Sequence, residues 1–305
     1  MTATNGHAAT NGHATPVPAR GSDADLEGAV SVFEPHSVGL PPLGPYLREI
    51  WERRRFIQAS ARASIRGKRS TMAAGQLWAV LDPLFQAALY WLLFAILRGG
   101  SGGRGSASAL TLLVGCLFLF NFSRISLTEG ARSVTSGRAL LMNSSLPRAL
   151  LPLTSIYKGL LELIPSAVVF LAIYLATGQT IGAGVVFLPL VLALHTALNL
   201  GLALTLATIS VYIRDVTNML QYLMRVLMFV TPVLYPVSYL TRFPAVEKIL
   251  LINPLYPVFA AYQAILTGGV PTYGQIALSL VWATAFLVGG TLFFLSHERA
   301  FALHI

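Results

Sequence analysis

Residues 151–177 read LPLTSIYKGLLELIPSAVVFLAIYLAT, an apolar run whose only charges are Lys158 and Glu162. A helix rises about 1.5 Å per residue and the hydrocarbon core of a bilayer is about 30 Å thick, so roughly 20 apolar residues suffice to cross it. The run therefore predicts a membrane-spanning helix. Five further stretches read the same way, at 78–97, 110–127, 185–212, 219–240 and 276–296. Composition agrees: 55% of residues are apolar and 11% are charged, whereas soluble domains carry about 25% charged residues. The fold class expected is an all-α polytopic membrane protein with six transmembrane helices.

Lys and Arg number 21 against 12 Asp and Glu. The bases lie between apolar spans rather than on one soluble face, which argues against nucleic acid as a partner. Their distribution sets orientation instead. Arg20, Arg48, Arg53, Arg54, Arg55, Arg62, Arg66, Lys68 and Arg69 precede the first span; Arg132, Arg138 and Arg148 join the second to the third; Arg214 joins the fourth to the fifth, and Arg299 follows the sixth. The alternate connections hold Arg98 with Arg104, then none, then Arg242 with Lys248. Both termini are expected in the cytoplasm.

Residues 241–273 break the pattern. The stretches 245–252 and 254–266 are apolar but too short to cross, Asn253-Pro254 is a helix-start signal, and Gly268-Gly269 a stop. An outer re-entrant helical hairpin between spans five and six is expected. Irregular backbone at such depth must be covered by protein or line a wet cavity.

Residues 1–43 contain no apolar core of a secretory signal but a tandem Ala-Thr-Asn-Gly-His-Ala, at 3–8 and 9–14. Such a segment has too little to bury against its ordering entropy and reads as a disordered cytoplasmic tail, with His7 and His13 solvated rather than metal-bound. Residues 44–70 read as an amphipathic interface helix, centred on 45–64, and a basic linker. In it Tyr46, Ile50, Trp51, Phe56 and Ile57 alternate with Arg48, Arg53, Arg54, Arg55 and Arg62, a composition suited to an anionic membrane surface. Residues 71–305 form the six-helix domain. The single cysteine, Cys116, has no partner within the chain and reads as a small buried hydrophobe, and no metal site is expected.

No Gly-x-x-x-x-Gly-Lys-Ser/Thr phosphate loop occurs, since Gly67-Lys68-Arg69-Ser70 lacks the upstream glycine. Four other segments carry a likeness: Gly75-Gln76-Leu77-Trp78 with Asp82-Pro83; Leu146-Pro147-Arg148 with Leu151-Pro152; Arg214-Asp215 followed by Thr231-Pro232 and Tyr235-Pro236; and Asn253-Pro254-Leu255-Tyr256-Pro257. In order and spacing they resemble the permease subunits of ATP-binding-cassette exporters for polysaccharides, including carriers of O-antigen, teichoic acid and mycobacterial galactan. Ser144-Ser145-Leu146 departs from the lysine frequent in that family.

The resemblance implies a transport subunit rather than an enzyme, located in the bacterial cytoplasmic membrane. A second copy of the chain would complete a channel, and two copies of a separate ATPase would hold ATP and Mg, so this chain itself is expected to carry no cofactor. The cargo implied is a polyprenyl-diphosphate-linked glycan. ATPase contact falls on Arg138, Leu140, Leu141, Met142 and Arg148, with Arg214 and Asp215 second. A sugar chain offers hydroxyls and flat apolar faces, so Tyr90, Trp91, Phe94, Phe118, Phe120, Phe122, Phe229, Tyr235, Tyr239 and Tyr256 are channel candidates. Arg53, Arg54, Arg55 and Arg62 are candidates for docking the diphosphate, because guanidinium groups bind phosphate oxygens in pairs. Within the spans, Lys158 and Glu162 are expected to pair with each other, and Arg225 to face a partner helix or wet cavity. The alternative reading is an ion-gradient-driven secondary transporter. Such proteins usually show inverted repeats and midplane ionisable groups, and the sequence shows no clear repeat.

Overall fold

A computed structural model describes residues 43–70, 78–97, 104–142, 146–242 and 244–301. The expected tail therefore lies outside the described residues, apart from Leu43. Helix α1 (Leu43–Glu52) is followed by α2 (Arg54–Ser70), α3 (Trp78–Leu97), α4 (Arg104–Ser136), the short α5 (Arg138–Met142) and α6 (Leu150–Ala176). A 3-10 turn (Ala183–Phe187) leads into α7 (Leu188–Tyr212), then α8 (Val216–Val230), a second 3-10 turn (Val237–Arg242), α9 (Pro244–Leu250), α10 (Tyr256–Leu266) and α11 (Tyr273–His297). The last element is a 3-10 turn at Glu298–Ala300, and no strand occurs among the described residues.

Four of the six expected spans stand as helices long and apolar enough to cross a membrane: Ser108–Ser136, Leu150–Ala176, Ala183–Tyr212 and Tyr273–His297. The other two positions hold shorter apolar stretches, Val80–Leu89 within α3 and Val216–Val230. Helix α4 runs well past its expected end at residue 127 because one face stays apolar: Leu127, Ala131 and Val134 are buried while Arg132 and Ser136 face outward.

The expected interface helix is two helices. Their break at Arg53 lets α1 press Tyr46 and Ile50 onto one end of the bundle while α2 packs along α6. The bundle is built around α7, which packs most extensively against α11 and α4; α4 also packs against α6. Backbones meet directly where α7 crosses α11. A Cβ on Gly201 would strike the backbone of Phe286 and Leu287, and one on Gly290 the Gly201 carbonyl. Small residues at a helix crossing let backbones approach where lipid gives no drive to bury apolar side chains.

The expected fifth span, 219–240, is not one helix. Helix α8 stops at Val230 after 15 residues, about 22 Å. Pro232 and Pro236 donate no backbone hydrogen bond, so the chain leaves the helix there. The backbone groups so freed are met by one side chain of α10, and the turn before α10 holds the Thr231 hydroxyl. Gln263 Nε2 donates to the Pro232 carbonyl at 2.6 Å and the Tyr235 carbonyl at 2.9 Å, and its Oε1 accepts from the Val237 N–H at 2.8 Å. Asn253 Nδ2 donates to Thr231 Oγ1 at 2.9 Å.

Asn253 also accepts from the Leu255 N–H at 3.0 Å, forming a turn, so the following helix begins at Tyr256 rather than at Pro254. The glycine stop holds: Gly268 takes φ of 81°, and the Gly269 N–H reaches the Ala264 carbonyl at 2.9 Å.

Leucine is close to glutamine in size but offers no polar atom. Gln263→Leu strands three backbone groups, each worth roughly 1–3 kcal/mol when buried and unpaired. Thermal unfolding in detergent should therefore show a drop of many degrees, whereas Gln275→Leu, at the exposed cap of α11, should cost about 1 kcal/mol.

Candidate functional site

Polar side chains of three helices gather at one cleft. Gln86 of α3, Asn121, Arg124, Thr128, Glu129 and Arg132 of α4, and Gln221 and Arg225 of α8 line a cleft of about 590 Å³, floored by Leu117, Phe120, Met224 and Met228. Asn121, Arg124, Thr128 and Arg132 follow spacings of three and four, which place them on one helix face. Arg124 Nε and Nη2 donate to Asn121 Oδ1 at 3.1 and 2.6 Å, and the Thr128 hydroxyl donates to the Arg124 carbonyl at 2.6 Å. The Arg225 guanidinium lies 5.6 Å from the Tyr222 ring centroid.

Lys158 does not pair with Glu162. Its ammonium donates to Glu129 Oε1 at 2.6 Å from a buried position on α6. A buried ammonium needs a full counter-charge, and Glu129, at the cleft wall, supplies it.

The opposite face of α4 is a buried polar seam. His195 of α7 lies between Ser123 Oγ, 2.6 Å from Nε2, and the Tyr262 hydroxyl of α10, 3.3 Å from Nδ1. Rings of Phe122, Phe259 and Tyr262 surround it edge-on. Asn199, one turn along α7, is fully buried, and no hydrogen bond among the described residues satisfies its side chain.

The channel candidates divide. Phe118, Phe120, Phe122 and Tyr256 are buried within the chain, Phe120 at the base of the cleft. Phe229 and Tyr239 are exposed, and the Tyr235 hydroxyl donates to the Val230 carbonyl at 3.2 Å. Tyr90, Trp91 and Phe94 lie on α3, with side chains outside the described set.

Of the docking candidates, Arg53 pairs with Glu49 at 2.9 Å, and Arg54 lies over Trp51 and donates to its carbonyl at 3.1 Å. Arg55 and Arg62 are exposed on α2, two turns apart on one face.

The contact candidates gather at one end of the bundle. Leu141 packs on a cluster of Val134, Ala149, Val211, Phe294 and Phe301, with Tyr46 and Ile50 of α1. Arg138 and Leu140 are exposed on α5, Arg214 and Asp215 in the turn after α7, and the Met142 side chain is outside the described set. The Glu298 carboxylate ties this end together. It accepts from the Tyr46 hydroxyl at 3.0 and 2.9 Å and from the Arg148 backbone N–H at 2.8 Å. Burial first, and the Glu298 charge second, push the Tyr46 hydroxyl far above its ordinary range.

A family model of ABC-2 type transporters matches residues 55–267, more than two thirds of the chain. The chain belongs to the ABC-2 type transporter family. It is thus an integral membrane subunit of a transporter. Among curated proteins it is similar to the O-antigen export system permease protein RfbA of Myxococcus xanthus, 28% identical over 78% of this chain and 93% of that one. Two Klebsiella pneumoniae proteins of the same name are 22% and 24% identical over 70% and 67% of this chain, and 80% and 77% of theirs.

Sequence reading singled out Arg225 but passed over Arg124 inside the second span, Glu129 just beyond its expected end, and His195 and Asn199 inside the fourth. Arg124 and Glu129 stand in a polar-rich stretch at the end of the second span's apolar run, and the i, i+4 and i, i+8 spacing of Arg124, Thr128 and Arg132 was the available signal.

Glu129→Gln leaves Lys158 buried without its counter-charge. The expected loss is about 2 kcal/mol, below the ~3–5 kcal/mol of a fully buried pair because the Glu129 side chain is 38% exposed. Adding Lys158→Met should recover most of it in the same melting assay, and a loss in the double variant equal to the sum of the singles would mean the two groups act independently.

Proposed function

We propose that this chain is the transmembrane subunit of an ATP-driven exporter that moves a polyprenyl-diphosphate-linked polysaccharide, of O-antigen, teichoic-acid or galactan type, outward across the bacterial cytoplasmic membrane. One observation carries the reading: a polar, guanidinium-lined cleft runs along α4 and α8 in a chain of this family. Polar surface along apolar helices is costly unless it meets protein, water or a polar cargo. Similarity to three O-antigen export permeases supports a polysaccharide cargo.

Two copies enclose the passage. The exposed flank of α8, with Met219, Tyr222, Val226 and Phe229, is the surface offered to the second copy beside the cleft, and Phe229 and Tyr239 give the passage aromatic faces on which sugar rings stack. Six crossing segments, α3, α4, α6, α7, a fifth begun by α8 and completed by the chain beyond Val230, and α11, place both termini in the cytoplasm by the bias of basic residues. Helices α9 and α10 form the outer hairpin, with Gln263 and Asn253 sealing the backbone where it turns back. The exposed arginines of α2, Arg55 and Arg62, attract the cargo's head group to the inner surface. Two copies of a separate ATPase, holding ATP and Mg, dock at the end of the bundle where α5 and the turn at Arg214 and Asp215 lie. Motion received there passes to α1 and α6 through Glu298.

Purified alone, the chain should hydrolyse no ATP, and activity should emerge only on addition of the cognate ATPase. Robust hydrolysis by this chain free of contaminants would remove the split-subunit reading. Cysteines placed at Arg138 or Leu140 should crosslink to that ATPase, and labelling of the same cysteines from outside intact cells would invert the topology.

A further inference from the structure

The cleft carries a surplus of positive charge. Arg124, Arg132 and Arg225 line it with one carboxylate, Glu129, and that carboxylate is engaged by Lys158 at 2.6 Å. No carboxylate among the described residues forms an ion pair with any of the three arginines. Asn121 orients the Arg124 guanidinium through its Oδ1, and the Tyr222 ring supports that of Arg225. Neither contact supplies negative charge.

The three groups are ordered in depth. Counting from the ends that the basic residues assign to the cytoplasm, Arg132 lies about 6 Å from the end of α4, Arg225 about 14 Å from the start of α8 and Arg124 about 18 Å from the end of α4. The deeper pair faces the cleft from two different helices at similar depth. A planar guanidinium presents paired donors to phosphate oxygens, and its affinity for them rises as water is excluded.

We propose that this arginine ladder is an anion site for a phosphate ester or diphosphate group, with Arg132 as the outer contact and Arg124 and Arg225 as the inner clamp. The site rests on the export reading for its place on the cargo's route, but its anion chemistry rests on the cleft alone. It is distinct from the arginines where α1 meets α2, of which Arg53 and Arg54 are already held by Glu49 and Trp51. The same chemistry can come from a mobile prenyl diphosphate or from the head group of a bilayer phospholipid.

The full-length chain in phosphatidylcholine nanodiscs is titrated with radiolabelled farnesyl diphosphate, with inorganic diphosphate and farnesol as competitors. Inorganic diphosphate should compete and farnesol should not. Arg124→Gln with Arg225→Gln should weaken binding by at least about tenfold, since each charge-assisted contact is worth roughly 1.5–3 kcal/mol, while Lys248→Gln, which removes an exposed charge on α9 away from the cleft, leaves it unchanged. Arg124→Lys with Arg225→Lys, which keeps the charge and guards against misfolding as the cause, should bind between the two. Adding phosphatidylglycerol to the discs separates the sources. Unchanged affinity assigns the ladder to the mobile diphosphate, and suppression of the wild-type signal to the variant's level assigns it to phospholipid head groups. Equal binding by wild type and the glutamine pair in both kinds of disc overturns the site. An export assay with the ATPase distinguishes the two readings: export with equal binding removes the anion site alone, and arginine-dependent binding without export removes the export reading alone.

Discussion

Hydrocarbon forms no hydrogen bonds, so any backbone group freed from a helix inside a bilayer, and any charge carried into it, must find its partner within the protein or in a water-filled cavity. The break after Val230 shows the constraint most clearly. Two prolines end α8 short of a full crossing, Gln263 reaches from α10 to meet the exposed backbone groups, and Asn253 holds the Thr231 hydroxyl beside them. Helix α10 is therefore buried almost throughout, packed against α4, α7 and α11. The same rule places Lys158 against Glu129 and His195 between Ser123 and Tyr262.

Continuous apolarity made the helices at 151–177 and 276–296 legible, and their ends fall within three residues of those expected. Helix α4 was read short because beyond Leu127 only one of its faces remains apolar, and a run of apolar residues is a poorer guide than a stripe. The prolines at 232 and 236 were read as a family signature, and the helix was carried through them. The gap between Lys158 and Glu129 is 29 residues, invisible to a search for partners one turn away. The cleft was hidden for the same reason, since Arg124 and Arg225 become neighbours only when α4 and α8 are packed. The aromatics divided because apolar packing and sugar stacking use the same side chains, and only burial tells Phe122 from Phe229.

Two parts of the bundle are held differently. At the end where α1 and α5 lie, one carboxylate, Glu298, joins the last described turn to the first described helix and to the backbone that opens α6. A displacement of the loop around α5 is thereby shared with α1 and α6 rather than absorbed locally. Elsewhere, α10 and the turn before it are secured to the break after α8 by the neutral amides of Gln263 and Asn253, and α8 carries one wall of the cleft. Rotation of α8 would alter the cleft while leaving the α7–α11 contact, locked by Gly201 and Gly290, in place.

The central claim is that water and polar cargo reach the α4 and α8 faces of an otherwise lipid-facing bundle. Because Cys116, the single cysteine, is fully buried, single cysteines can be placed on a nearly silent background in the assembled transporter and reacted with a membrane-impermeant thiol reagent. An aqueous cleft predicts that Asn121→Cys, Thr128→Cys and Gln221→Cys react, and react faster when ATP is turned over, while Val168→Cys and Val281→Cys, exposed on the outer faces of α6 and α11, do not. Equal protection of both sets, with and without ATP, would mean that the polar faces are closed by protein and that no passage runs there.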